Sequence, residues 1–159
     1  EMAGYATGEV FFVSQALGLR HSHLDSAGYS YDQKPKGKTV EEAVEFLMQD
    51  EKGRVFLTSM VACLFARSVY TDDVLAECLQ SVGYDDIAAN MDSVSGHIQK
   101  LRWKTRIATG FDPAKISIPK RFMEVTTWKG KIDGAFLSQL KMEYGNRIVQ
   151  LGGEKKDEP

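Results

Sequence analysis

The sequence predicts an all-α fold, an irregular multi-helix domain of orthogonal or bundle-like packing, with about six helices and one long N-terminal loop. Three observations predict it. Apolar residues recur at helical spacing over most of the chain. Helix-start residues (Thr39 with Glu42, Thr71 with Asp72 and Asp73, Asp133) and helix-stop glycines (Gly83, Gly110) bracket those stretches. No alternation of polar and apolar residues is sustained beyond a few positions, so no half-buried strand is expected.

The elements follow in order. Residues 5–19, YATGEVFFVSQALGL, are apolar with small residues and read as a buried helix. Residues 20–38, RHSHLDSAGYSYDQKPKGK, are rich in Ser, Gly, Asp, Tyr and Pro, which is loop chemistry. A loop of that length in a compact chain is more often functional than accidental. Thr39 and Glu42 form a capping box, and Val40, Ala43, Val44, Leu47 and Met48 follow at helical spacing. Gly53 is expected to break this helix. A second one, apolar all round and therefore buried, is expected from about Arg54 to Phe65. The next helix starts at Thr71, with Val74, Leu75, Cys78, Leu79 and Val82 as its inward stripe, and Gly83 suits the left-handed residue after its end. The longest helix is expected over about Asp85–Thr109, with Ile87, Met91, Val94, Ile98, Leu101 and Thr105 on one stripe, ended by Gly110 and Pro113. Residues 116–125, ISIPKRFMEV, read as extended, then a short helical turn beginning at Pro119. Asp133 caps the last helix, which carries Phe136, Leu137, Leu140, Tyr144, Ile148 and Leu151. The helical part is expected over residues 1–152, as one domain or two small lobes sharing a core, and residues 153–159 as a disordered polar tail.

The composition narrows the function classes. With 43% hydrophobic and 26% charged residues, the chain has ordinary globular usage. A net charge of −2 argues against a general polyanion binder. No stretch approaches the roughly 18 apolar residues of a membrane span, and no secretory signal opens the chain. The 2 cysteines make no disulfide framework, so reduced thiols in the cytoplasm are expected. The first residue is Glu1, consistent with a piece of a longer chain.

Four features carry candidate chemistry. KPKGKT resembles a phosphate loop, but Asp32 stands where the pattern needs glycine and no strand precedes it, so a solvated loop ending in a cap is the better reading. Residues 71–93 carry acidic side chains and no Lys or Arg, whereas residues 100–121 are basic around Trp103. A basic helix with an aromatic is compatible with nucleic-acid contact, but the net charge favours a solvated face. His21 and His23, two apart with Asp25 near, lack two further ligands at zinc spacing. They read as surface residues or, beside Tyr29 and Tyr31, as proton-transfer candidates. Cys63, in the expected buried helix, reads as a core cysteine or a ligand; Cys78 reads as core. No CxxC occurs, so the chain does not build an iron–sulfur site by itself.

Four stretches together resemble the C-terminal part of the aldehyde ferredoxin oxidoreductase family of tungsten-pterin enzymes. GLRHSHLDSAGYSYDQ is similar to that family's histidine segment near the active-site cavity. LTSMVACLFAR is similar to its Asp-x-x-Gly-Leu-Cys motif. LRWKTRIATGFDP is similar to its late helix and glycine turn. ISIPKRFMEVTTWKGKIDGAFLSQLKMEYGNRI is similar to its closing segment and last helix.

The resemblance implies an all-helical part that packs on an N-terminal pterin-binding domain of the same enzyme. It implies two cofactors in the full-length enzyme, a tungsten bis-pterin and a [4Fe–4S] cluster, and a partner, ferredoxin, as electron acceptor. The implied reaction oxidises a small aldehyde to a carboxylic acid. His23 would be the cavity histidine that exchanges a proton, Thr58 and Ser59 would lie against the pterin, and Cys63 would be the fourth cluster ligand. The motif's aspartate and glycine are here Thr58 and Val61. Alone, the 159-residue chain is expected to be inactive, to hold no cofactor and to contact neither membrane nor nucleic acid; homo-oligomerisation is compatible with the sequence. The alternatives from other classes are a helical protein-interaction module without cofactor and a basic-helix nucleic-acid binder.

Overall fold

The computed structural model describes residues 8–19, 27–34, 39–124, 126–127 and 130–153. These form an all-α fold of seven α-helices with one two-residue-stranded hairpin. The helices are α1 (Glu9–Leu17), α2 (Gly28–Asp32), α3 (Val40–Ser59), α4 (Asp72–Ser81), α5 (Asp85–Ala89), α6 (Met91–Ala108) and α7 (Gly134–Gly152). The hairpin pairs β1 (Thr126–Thr127) with β2 (Gly130–Lys131) antiparallel. Short 3-10 turns cover Leu64–Ala66, Pro113–Lys115 and Lys120–Phe122.

Local chemistry accounts for most boundaries. Thr39 and Glu42 make the reciprocal capping box at the start of α3. Thr71 accepts from the Val74 amide, and Asp133 from those of Ala135 and Phe136. The start of α1 has no cap of its own. Asp32, from the end of α2, accepts from the Val10 and Phe11 amides at 3.3 and 2.8 Å. A carboxylate there also matches the positive end of the helix dipole. The other end of α1 is closed by Arg106, which donates to the Leu17 and Gly18 carbonyls.

Two core clusters share the long helices. The first joins α1, α2, the first half of α3, the end of α6, and α7, around Phe11, Leu17, Val44, Trp103, Leu140 and Ile148. The second joins the end of α3 to α4 and α5, around Phe56, Leu57, Leu75, Leu79 and Ala88, with the start of α6 packed on it. α3 and α6 run through both, and their mutual packing holds the clusters together.

The structure corrects several boundaries. Gly53 does not break α3, which continues to Ser59: a helical glycine costs only about 1 kcal/mol, and the buried Arg54, Val55, Phe56 and Leu57 outweigh it. The helix expected over residues 54–65 therefore ends early, and Cys63 stands in extended backbone, exposed, at the start of the Leu64–Ala66 turn. Cys78 is also exposed, because Leu75 and Leu79 fill the inward stripe of α4. The long helix expected from Asp85 is two, α5 and α6, parted at Asn90. On α6 the buried face is Ser95, Gln99 and Trp103, while Leu101 is 54% exposed. The segment read as loop contains α2. The proposed tail, apart from Gly153, lies outside the described residues.

Candidate functional site

Residues of the stretches 18–33 and 57–67 meet at one cleft of about 830 Å³. Tyr29 and Ser30 come from the α2 segment, Leu57 from the end of α3, and Arg67 from the 3-10 turn after Cys63. The floor is the middle of α3, and α4, α5 and the start of α6 close the far side.

The cleft is held in place by buried polar chemistry. Asp50 receives the Ala27 amide at 2.8 Å and the Arg54 Nε at 2.8 Å, so one carboxylate fastens the α2 segment and a buried arginine to α3. At the next position of α3, buried Glu51 is saturated by neutral donors. Its Oε1 accepts from Trp103 Nε1 at 2.6 Å and Gln99 Nε2 at 2.8 Å. Its Oε2 accepts from the Leu19 amide at 2.8 Å and Tyr144 Oη at 3.1 Å. A buried carboxylate without such partners would cost several kcal/mol. Burial, then the Glu51 charge and the hydrogen bond to it, push the Tyr144 hydroxyl well above its ordinary pKa.

The charges lining the cleft sort into pairs. Arg54 lies on Asp50, and Lys52 on Asp92 at 2.5 Å. Arg67 has no carboxylate partner among the described residues. Its Nη1 donates to the Leu64 carbonyl at 2.9 Å and its Nη2 lies 3.5 Å from the Tyr29 hydroxyl.

The residues expected to carry chemistry divide as follows. His21 and His23 lie outside the described residues. Thr58 and Ser59 end α3 with both hydroxyls donated back to the Val55 carbonyl, at 3.0 and 2.8 Å; Thr58 also accepts from Arg102 at 3.5 Å. Cys63 follows them on the surface. Between them, Val61 has a φ of 59°, in the left-handed region, and is 93% exposed. Trp103, read as part of a basic surface, is fully buried on Glu51. Among the described residues no cluster of three or more His, Cys, Asp or Glu is placed to hold a metal ion, and no helix is long and apolar enough to cross a membrane.

Glu51, Gln99, Arg67 and Tyr144 were not singled out as polar site residues by the sequence. Glu51 had a signal, since it sits four residues after Leu47 and four before Val55, on the buried face of α3. Arg67 had none. No family model, curated protein or solved structure matches this chain.

Proposed function

We propose that this chain is the helical C-terminal part of a tungsten-dependent, aldehyde ferredoxin oxidoreductase-like enzyme, in which Cys63 is one ligand of a [4Fe–4S] cluster. The observation that carries this reading is the left-handed backbone at Val61, two residues before an exposed thiol. The family motif named by the resemblance has glycine at that place, and a positive φ is what glycine supplies. Val61 keeps a backbone angle that glycine would adopt, while its side chain takes up the close backbone approach that a glycine leaves open.

The donor set fits a single ligand. Cys63 is exposed and precedes a turn rather than lying inside a helix, so its Sγ can reach a cluster held mostly by another domain. When bound, such a cluster carries single electrons between the metal–pterin centre and ferredoxin. Val61, Phe65 and Val69, within six positions of Cys63 in the chain, are exposed by 93, 74 and 62%, apolar side chains suited to a covering protein surface, here the pterin-binding domain. Thr58 and Ser59 keep acceptor lone pairs for a pterin edge, since their hydroxyl protons go to Val55. His23 takes the proton-exchange role at the aldehyde.

The test is iron content in the protein that includes its pterin domain. Cys63→Ser should lower iron and the cluster's visible absorbance, and Cys78→Ser should change neither. Unchanged iron in Cys63→Ser would rule out the ligand assignment. The same exposed apolar residues favour a second reading, an interaction module without cofactor, and that reading predicts iron-free protein throughout.

A further inference from the structure

We propose that the cleft between α2, α3 and α4–α5 binds a small organic carboxylate with an apolar or aromatic body, its carboxylate seated on the Arg67 guanidinium. Three observations carry this. First, the other cations of the cleft are committed, Arg54 to Asp50 and Lys52 to Asp92, whereas Arg67 uses one N–H on a backbone carbonyl and a second, at 3.5 Å, on the Tyr29 hydroxyl. The rest of its planar fork has no partner among the described residues, and that fork matches a carboxylate in two-point contact. Second, Asp72, the remaining carboxylate of the lining, lies in the first turn of α4, where the helix dipole compensates its charge. It is not ion-paired to Arg67. Third, the cleft that Arg67 lines also carries aromatic and aliphatic residues, Tyr29, Phe56, Leu57, Tyr70 and Leu75, among its polar ones. A cleft of about 830 Å³ with one cation not paired to a carboxylate and a lining that is partly apolar and partly polar suits an amphipathic small anion better than a bare inorganic one.

Binding by this cleft stands independently of any cofactor. Only the further identification of the ligand with the acid made by aldehyde oxidation, or with an aldehyde that also bears a carboxylate, rests on the proposed function. The two fail separately: iron loss on Cys63→Ser tests that function, and anion binding to the 159-residue chain tests this site.

Benzoate is the probe, titrated into the chain by calorimetry and by amide chemical shifts at Tyr29, Arg67 and Tyr70. Arg67→Met should weaken benzoate about ten- to a hundredfold. Arg67→Lys should fall between the two, because it keeps the charge and loses the fork. Lys52→Met, whose cation is already held by Asp92, should bind as the parent does. Circular dichroism checks that each variant is folded, and Arg67→Lys keeps the test open should Arg67→Met fail to fold. The proposal is overturned if benzoate does not bind, if both Arg67 variants bind it like the parent, if Lys52→Met loses as much, or if equimolar inorganic phosphate displaces it.

Discussion

Val61 shows how much one backbone angle asks of one residue. α3, α4 and α6 end in the same way: the amide of the second residue past the cap returns to a carbonyl of the last turn. The three bonds are Ala62 to Leu57, Tyr84 to Leu79 and Phe111 to Arg106. Each such end needs a left-handed residue after the cap. Gly83 and Gly110 fill that position in α4 and α6, with φ of 85 and 96°, and Val61 fills it in α3. Left-handed backbone costs a non-glycine residue roughly 1–2 kcal/mol, and a β-branched one is the least tolerant. The exposed Val61 side chain returns no burial to offset this. Val61→Gly should therefore stabilise the chain by about 1 kcal/mol, after the larger chain entropy of glycine is deducted. That is a rise of about 2–4 °C in thermal midpoint. An unchanged or lower midpoint would show that the valine is held by contacts rather than strained. The two glycine ends could be read from the sequence because glycine announces them. The valine end is not announced in this way, so spacing alone carries the buried helix past Cys63, whereas it ends at Ser59.

At the level of the helix, glycine carries opposite meanings that sequence spacing does not separate. Gly53 sits in the middle of α3 with nothing near the place a Cβ would occupy. Gly152, at the end of α7, lies against α6, where a Cβ would fall 2.7 Å from Trp103 Cβ and 2.8 Å from its carbonyl carbon. Backbone is in the way there, so the helices would have to part. Gly53→Ala should stabilise by about 0.5–1 kcal/mol. Gly152→Ala should destabilise by about 1–3 kcal/mol through overpacking. Urea unfolding of the two variants checks both, and equal effects would contradict the contact geometry. Caps were the most legible feature of the chain: Thr39, Thr71 and Asp133 each bond within their own first turn, a local rule that tertiary context does not alter. Long-range caps were not legible. Asp32 on α1 and Arg106 at its other end bond across 21 and 89 positions, and no spacing rule reaches that far. The buried stripe of α6 departs from its apolar spacing for a related reason. Gln99 is polar by type, and it is buried because Glu51 of α3 accepts its amide.

Across the whole molecule, Glu51 is where the segment after α1 and helices α3, α6 and α7 meet, so its hydrogen bonds couple the stability of the fold to pH at the alkaline end. Tyr144 is fully buried, and its hydroxyl donates to Glu51. Burial and that neighbouring charge raise its folded-state pKa well above the ordinary value of 10.0. In the unfolded chain Tyr144 titrates near 10.0, so above that pH the unfolded state has released a proton that the folded state retains. Stability falls with rising pH wherever the unfolded state holds fewer protons. The contribution is therefore fully present below about pH 10 and is lost as pH climbs toward the folded-state value. Tyr31, raised by burial and then by Glu42 and Asp32, adds to the loss with the same sign. Tyr144→Phe should thus do two things. At pH 7 it should cost about 1–3 kcal/mol, because Glu51 loses a buried donor. Between about pH 9 and 11 its stability should decline less steeply than the parent's, with the slope left by Tyr31 remaining. Urea unfolding at fixed steps across that range reads both effects on one protein. Parallel curves for the two proteins would place the alkaline sensitivity elsewhere than at Tyr144. A variant as stable as the parent at pH 7 would mean that the hydrogen bond to Glu51 is not what ties α7 to α3.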